Sequence, residues 1–467
     1  MMSIIELAML GQILLWLIVL GTFVASGQAS MFHPLTIFLA FHALVFIIRP
    51  LEIIYWGFDF GWQYMRFYPS DGDWIKTFCV TSLGLVMFAT VTMVVGKTTP
   101  EFPTNPPAPF TSDQKRGLLL TTLLLGPLVL FSIYRTNSGF ATMEQRGGIT
   151  IMTGDSGYVV EAQYMFGPLA CAWLLVTRFD WRVWIPLVIY IGYRAYSGWM
   201  RWTIVLLIFA IALSYLWQQR RRWVSFSVML VMIPAILLFA WLGQDRGNFR
   251  RLLGFQTAEA QQVLAGMSKE EIRKMKSDNP DYANFDFLTF ILNVVPERTH
   301  SFTYGTQYLQ LFTEPIPRKL WPGKPLGAPI HFFSLNDYGN FVGMTPTILG
   351  DGWMSGGWIG LITTMGLVGG FLGFAHRLFW RKVDNNMFCL FYTIGLAMLP
   401  QWYRDGGISI SKFLFWNLSP LIIWNLSIWI VSGSQIPVCL AVLRPSTSIR
   451  ILRPESETQI PSRKIGP

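Results

Sequence analysis

Met200-Arg201-Trp202-Thr203-Ile204-Val205-Leu206-Leu207-Ile208-Phe209-Ala210-Ile211-Ala212-Leu213-Ser214-Tyr215-Leu216-Trp217-Gln218-Gln219-Arg220-Arg221-Arg222 decides how this chain folds. From Trp202 to Trp217 no residue is charged, and a helix of this length covers most of a hydrocarbon core about 30 Å thick. The run then stops at three successive arginines, and short loops rich in Lys and Arg stay in the cytoplasm. One stretch therefore supplies both a membrane span and its direction.

Extending the same reading outward predicts about eleven spans, at 4–25, 31–49, 74–96, 117–134, 158–176, 182–197, 200–217, 223–243, 352–375, 387–402 and 409–431. The first begins Met1-Met2-Ser3-Ile4-Ile5-Glu6 without a basic segment, so it is expected to be retained as a span and not cleaved as a signal peptide. Composition agrees. The 467 residues are 52% hydrophobic and 13% charged, against about 25% charged in a soluble domain. So few charges cannot cover the surface of so apolar a chain, which excludes an ordinary water-soluble enzyme. The expected fold class is an all-α integral membrane protein with a large, partly helical extracytoplasmic loop.

Placing Arg220 to Arg222 inside puts 218–222, 376–386 and the basic tail 432–467 in the cytoplasm by simple alternation, and residues 244–351 outside. Four regions follow: an N-terminal bundle of eight spans (1–243), the outer loop (244–351), a C-terminal bundle of three spans (352–431) and the tail (432–467). Within the loop, Thr257 to Ser277 reads as an amphipathic helix, with Ser268 and Glu271 at capping-box spacing. Asn284 to Phe312, rich in Phe, Leu and Tyr, is expected along the membrane surface. No internal repeat and no inverted pair of interrupted helices is visible, which argues against a transporter.

The formal charge of +10 fits anionic lipid or a phosphate-bearing substrate better than nucleic acid, since no basic tail interleaved with aromatics is present. Cys79, Cys171, Cys389 and Cys439 are far apart, and the five histidines are scattered, so neither a disulfide scaffold nor a metal site is expected. Outer-face cations remain after orientation is satisfied, among them Arg49, Arg194, Arg201, Arg318, Lys324 and Arg404. Arginine binds phosphate through two parallel bonds and stays charged at low dielectric. Such residues also snorkel to headgroups or pair with acids, for example Glu52. Arg194 and Arg201 flank a very short turn between two apolar runs. An arginine there costs up to about 3 kcal/mol on insertion scales, so it is kept for a partner or a substrate.

The segment Glu314-Pro315-Ile316-Pro317-Arg318-Lys319-Leu320-Trp321-Pro322-Gly323-Lys324-Pro325 is held rigid and extended by its prolines. It fixes Arg318 and Lys324 at a set separation with Trp321 between them, a combination suited to phosphate binding beside sugar stacking; a clamp closing the loop onto the bundle is the structural alternative. Gly343 to Gly360 follows, with its one acid, Asp351, where a helix begins; an acid in that position also complements a helix N-terminus. Gln401-Trp402-Tyr403-Arg404-Asp405-Gly406-Gly407 reads as a charged outer turn between two apolar runs, with a surface pairing of Arg404 and Asp405 as the structural alternative.

Together, Pro317-Arg318-x-x-Trp321-Pro322-x-Lys324-Pro325, Gly350-Asp351 with Trp358-Ile359-Gly360, and Tyr403-Arg404-Asp405-Gly406 resemble the Wzy-type O-antigen or oligosaccharide repeat-unit polymerases of bacterial surface polysaccharide synthesis. His33-Pro34, Arg49-Pro50-Leu51 and Arg194 to Arg201 extend the likeness over most of the chain. Members of that family commonly have Glu after the glycine where this chain has Asp351. The resemblance implies a multi-pass glycosyltransferase of the bacterial cytoplasmic (inner) membrane with an outward-facing site. It would transfer a polyprenyl-diphosphate-linked glycan onto a second lipid-linked repeat, without nucleotide sugar, cofactor or metal. Implied partners are the donor and acceptor glycolipids, the bilayer, a chain-length regulator and a flippase. Arg318, Lys324, Trp321, Arg194, Arg201 and Arg404 become the expected substrate-binding residues, the three arginines from distant segments sharing one cavity. Asp351 is the expected base and His331 its rival. A ligase of the same fold and a lipid-linked sugar transporter remain the alternatives.

Overall fold

The computed structural model describes residues 3–57, 60–137, 143–146, 149–152, 159, 161–197, 202–226, 283–313, 316, 320–321, 333–339 and 344–433. The helices, in order, are α1 (Ile4–Ala25), α2 (Pro34–Trp56), the short α3 (Phe60–Met65), α4 (Asp71–Val95) and α5 (Ser112–Asn137). There follow α6 (Phe166–Val176, entered through a 3-10 turn at Ala162–Met165), α7 (Trp181–Ser197), α8 (Trp202–Gln218) and α9 (Asn284–Val294). The last four are α10 (Thr347–Arg381), α11 (Asn386–Ala397), α12 (Leu399–Asp405) and α13 (Gly407–Ser432). One antiparallel hairpin, Met143–Arg146 with Ile149–Met152, is a small departure from the all-helical expectation.

Local chemistry sets the helix starts. Ser3 and Glu6 form a reciprocal capping box on α1, and Ser70 and Asp73 form another on α4. Six helices among the described residues are long and apolar enough to cross a membrane: Ile4–Ala25, Pro34–Trp56, Asp71–Val95, Ser112–Thr136, Thr347–Arg381 and Phe413–Ser432. Leu7, Leu14, Leu17 and Ile18 of α1 are half or more exposed, a surface that suits acyl chains and not water. The chain is thus a helical, multi-pass membrane protein. The predicted spans at 158–176, 182–197, 200–217 and 387–402 fall on shorter helices, while 223–243 lies outside the described residues, as do Thr257 to Ser277 and the tail beyond Gly433.

Two packed groups make up the interior. In one, α4 and α10 touch backbone to backbone: a Cβ built on Gly373 would lie 2.9 Å from the Thr92 carbonyl, and one on Gly369 would lie 3.1 Å from that of Phe88. Small residues four apart permit this approach in apolar surroundings. In the other group α5 packs on α13, with Thr121 Oγ1 donating to Ser427 Oγ at 3.1 Å. The short α12 contacts α2, α10 and α13 and so joins the two.

Two features correct the sequence expectations. First, Asn284–Val294 does not lie along a surface: every residue from Asn284 to Leu292 is buried, against α4, α10, α3 and a π-helical turn of α2 at Leu44–Ile48. Its one acid, Asp286, is 0% exposed and accepts two bonds from Arg49, Nε at 3.1 Å and Nη2 at 2.7 Å. Arg49 is therefore a structural cation holding α9 in place. Lys76 adds a bond to the Leu292 carbonyl at 2.7 Å, and Trp353 Nε1 donates to Val295 O at 2.8 Å. Second, α10 is interrupted. Gly356 (φ 171, ψ 37) and Gly357 (φ 59, ψ −133) leave helical geometry, and paired glycines are a common cause of such a break. A buried stretch, Thr347–Met354, precedes the break, and the long apolar remainder follows it.

Candidate functional site

Asp351 lies in the stretch of α10 before the break and is 1% exposed. Its Oδ2 accepts the backbone N–H of Gly407 at 2.6 Å. Gly407 is the first residue of α13, so the carboxylate satisfies one of the helix's orphan donors and sits at the positive end of its dipole. Asp351 thus complements a helix N-terminus, as its position suggested, but that of α13 and not its own. Gly406, with φ 83 and ψ 178, makes the turn into α13. A Cβ built there would overlap the Asp351 carboxylate. Asp351 Oδ1 has no hydrogen-bond partner among the described residues.

The preceding helix brings in the rest of the cluster. Arg404 and Asp405 are both buried at the end of α12, with Arg404 Nε 3.8 Å from Asp405 Oδ1. Gln401 Nε2 donates to Asp405 Oδ2, and Asp405 is close enough to Asp351 for the two charges to interact. The Arg404 carbonyl accepts from Thr345 Oγ1 at 3.0 Å and Asn284 Nδ2 at 3.4 Å. Asn284 also donates to the Thr345 carbonyl at 3.0 Å. The start of α9, the entry to α10 and the end of α12 are thereby tied at one point. Behind it Tyr403 is fully buried, its ring 4.9 Å from that of Phe38 and 5.5 Å from that of Phe88.

The segment Thr303 to Leu309 closes the cluster from another side. Thr303 N donates to the Met354 carbonyl at 2.8 Å, satisfying the end of the broken helix. Gln307 Nε2 donates to Ser355 Oγ at 2.5 Å, and Ser355 Oγ to the Asp351 carbonyl at 2.7 Å. The Tyr308 ring lies 3.1 Å from where a Gly407 Cβ would stand. Burial pushes the Tyr308 phenol up, the neighbouring charge of Asp351 adds to this, and bonds to Thr364, Ser355 and Gln307 oppose it.

Of the residues expected from sequence, Asp351 and Arg404 meet at this junction. Arg194, on α7, is fully buried in a nest built by α8 and the turn before α6. There Nη1 donates to Gln163 Oε1 at 2.6 Å, Nη2 to Thr203 Oγ1 at 3.2 Å, and the guanidinium lies 5.6 Å from the Tyr164 ring centroid. Trp321 is 40% exposed. Arg201, Arg318, Lys324 and His331 lie outside the described residues. Arg404 and Asp405 were expected to pair at a surface and are instead both buried, and Gln401, Tyr308 and Gln307 were not anticipated. Asp405 carried a signal, adjacency to Arg404 in a charged turn, whereas Tyr308 and Gln307 carried none beyond their place in the loop. Among the described residues no group of three His, Cys, Asp or Glu is placed to hold a metal.

Chemically the junction offers a buried carboxylate with one oxygen held by a helix N-terminus and the other unbonded among the described residues, beside a second carboxylate and an arginine. No family model, curated protein or solved structure matches the chain.

Proposed function

We propose that this protein is a membrane glycosyltransferase that joins polyprenyl-diphosphate-linked oligosaccharide repeat units into a surface polysaccharide at the outer face of the bacterial cytoplasmic membrane. One observation supports the reading above others: Gly350-Asp351 and Tyr403-Arg404-Asp405-Gly406, two of the segments that carry the likeness to repeat-unit polymerases, meet through the Asp351 to Gly407 bond. In the proposed reaction an acceptor sugar hydroxyl attacks the anomeric carbon of the donor glycan. A new glycosidic C–O bond forms as the bond to the diphosphate breaks. The hydroxyl proton passes to Asp351 Oδ1, or to His331 if the loop supplies the base. The diphosphate leaves with its charge spread over Arg318, Lys324, Arg201 and Arg404. Because Asp351 is 1% exposed, an acceptor reaches Oδ1 only after the packing around it opens, and Thr303 to Leu309 is the segment whose movement would open it.

The test is to mix the purified protein with a lipid-linked repeat unit and resolve the products by size. A ladder with one-repeat spacing is expected; a single product formed on a different lipid acceptor would indicate the ligase. The break at Gly356-Gly357 favours a second reading, transport of a lipid-linked sugar, because interrupted helices line the substrate sites of many transporters. A transporter would move the glycolipid between the leaflets of a sealed vesicle and give no ladder.

A further inference from the structure

Where the ends of α6 and α8 meet the starts of α5 and α11, the structure holds a cavity of about 780 Å³ that the proposed reaction does not use. It belongs to the helix ends that carry Arg220, Arg221 and Arg222. Its lining changes character with position. Trp173, Leu175, Val176 and Tyr215 come from the last turns of α6 and α8 and are apolar or aromatic. Arg178 and Gln219 come from just beyond those helices, and Lys115 from the first turn of α5. Lys115 and Arg178 are exposed and form no ion pair among the described residues. Asp180 also lines the cavity, with its Oδ1 accepting the Arg182 N–H at 3.0 Å. Counted this way, the lining has two cations and one acid.

The far wall is the proline run Pro106 to Pro109, and it is fixed from two sides. Asn386, 8% exposed, donates from Nδ2 to the Ala108 carbonyl at 2.8 Å. Arg220 donates from Nε to the Asn105 carbonyl at 3.3 Å while its Nη2 holds Asp384 at 2.6 Å. Two side chains thus preorganise a strip that has few backbone donors of its own. Inorganic phosphate would leave most of this volume empty, and a wholly polar ligand would gain nothing from Trp173 and Tyr215. A molecule with an anionic head and an apolar tail satisfies both halves.

We propose that this cavity is a binding site for an anionic phospholipid of the surrounding leaflet, with the phosphodiester between Lys115 and Arg178 and the glycerol and first methylenes against Trp173 and Tyr215. The full chain in phosphatidylcholine nanodiscs, titrated with phosphatidylglycerol and read by native mass spectrometry, tests this. Losing both cations in K115Q/R178Q should weaken retention roughly thirtyfold, at about fivefold per cation near a membrane surface. The charge-keeping pair K115R/R178K should retain the lipid, and so should Arg116→Gln, which removes an exposed neighbouring cation outside the lining. Equal weakening in Arg116→Gln would overturn the proposal in favour of diffuse surface charge. So would wild-type retention in K115Q/R178Q. Displacement of phosphatidylglycerol by equimolar glycerol phosphate would show that the site takes a free phosphate compound instead.

Discussion

Replacing Gly406 by alanine attacks the junction at its tightest point. At φ 83 and ψ 178 the backbone occupies a region essentially restricted to glycine, and forcing an L-residue there costs about 1–3 kcal/mol. The new Cβ also displaces the Asp351 carboxylate, breaking its bond to the Gly407 N–H; a bond of this charged kind contributes about 1.5–3 kcal/mol. The combined loss is about 2.5–6 kcal/mol, large against the usual stability of a folded domain. Unfolding in mixed micelles at increasing denaturing detergent measures it. The two contributions separate in a double-mutant cycle. In an Asp351→Ala background nothing is left to displace, so Gly406→Ala should then cost only the backbone part, about 1–3 kcal/mol. If Gly406→Ala is equally costly in both backgrounds, the Asp351 contact is not what demands glycine; if it is harmless in both, the turn geometry itself is wrong.

Asp351→Asn keeps the shape and can still accept from Gly407, so it should lower ladder formation about a hundredfold or more with a stability loss of only about 0.3–1 kcal/mol from the helix dipole; near-full turnover there, with His331→Ala inactive, moves the base to His331. Arg49→Ala leaves Asp286 buried without its cation and should cost about 3–5 kcal/mol in the same unfolding assay. Arg318→Lys keeps charge but loses the planar fork, so polymer should shorten at unchanged protein level, and full-length polymer in Arg318→Ala cells would remove this residue from the site. Maleimide added from outside should label Ser277→Cys and spare Gln219→Cys; the reverse pattern inverts the orientation deduced from the arginine triplet.

What was legible in advance depends on how local the physics is. Hydropathy is a property of a run of neighbours, so helices such as Ile4–Ala25 and Asp71–Val95 are visible in the sequence. The fate of Asn284–Val294 is not. It is too short to span, and an apolar surface all round fits a membrane-surface segment as well as a buried one. Burial is decided by Asp286 meeting Arg49, 237 positions away, and no spacing rule pairs residues at that distance. The break at Gly356-Gly357 is intermediate: the glycine pair is plain to see, but whether a helix bends there depends on what receives its freed carbonyls, here Thr303 for Met354.

The junction itself shows why a motif can be noticed for one reason and placed for another. Asp351 and Arg404 drew attention as acid and cation in segments similar to a polymerase family. In the fold, Asp351 is positioned by the N-terminus of α13 and Gly406 by the space Asp351 needs. A carboxylate that caps a helix is already bonded through one oxygen, which limits any proton it accepts to the other. Asp351 Oδ1 is that oxygen, buried and unbonded among the described residues, and leaving a buried acceptor unsatisfied costs about 1–3 kcal/mol. Such a cost is tolerated most readily where the group acquires a partner during function. An acceptor hydroxyl donating to Oδ1 would remove that cost in the bound state, so the same atom that penalises the resting fold would favour substrate entry. With its oxygen kept on the Gly407 N–H, Asp351→Asn presents an N–H group where Oδ1 stood, and its effect on acceptor binding, measured apart from turnover, tells whether the unbonded oxygen draws the acceptor in or only marks where a helix is capped.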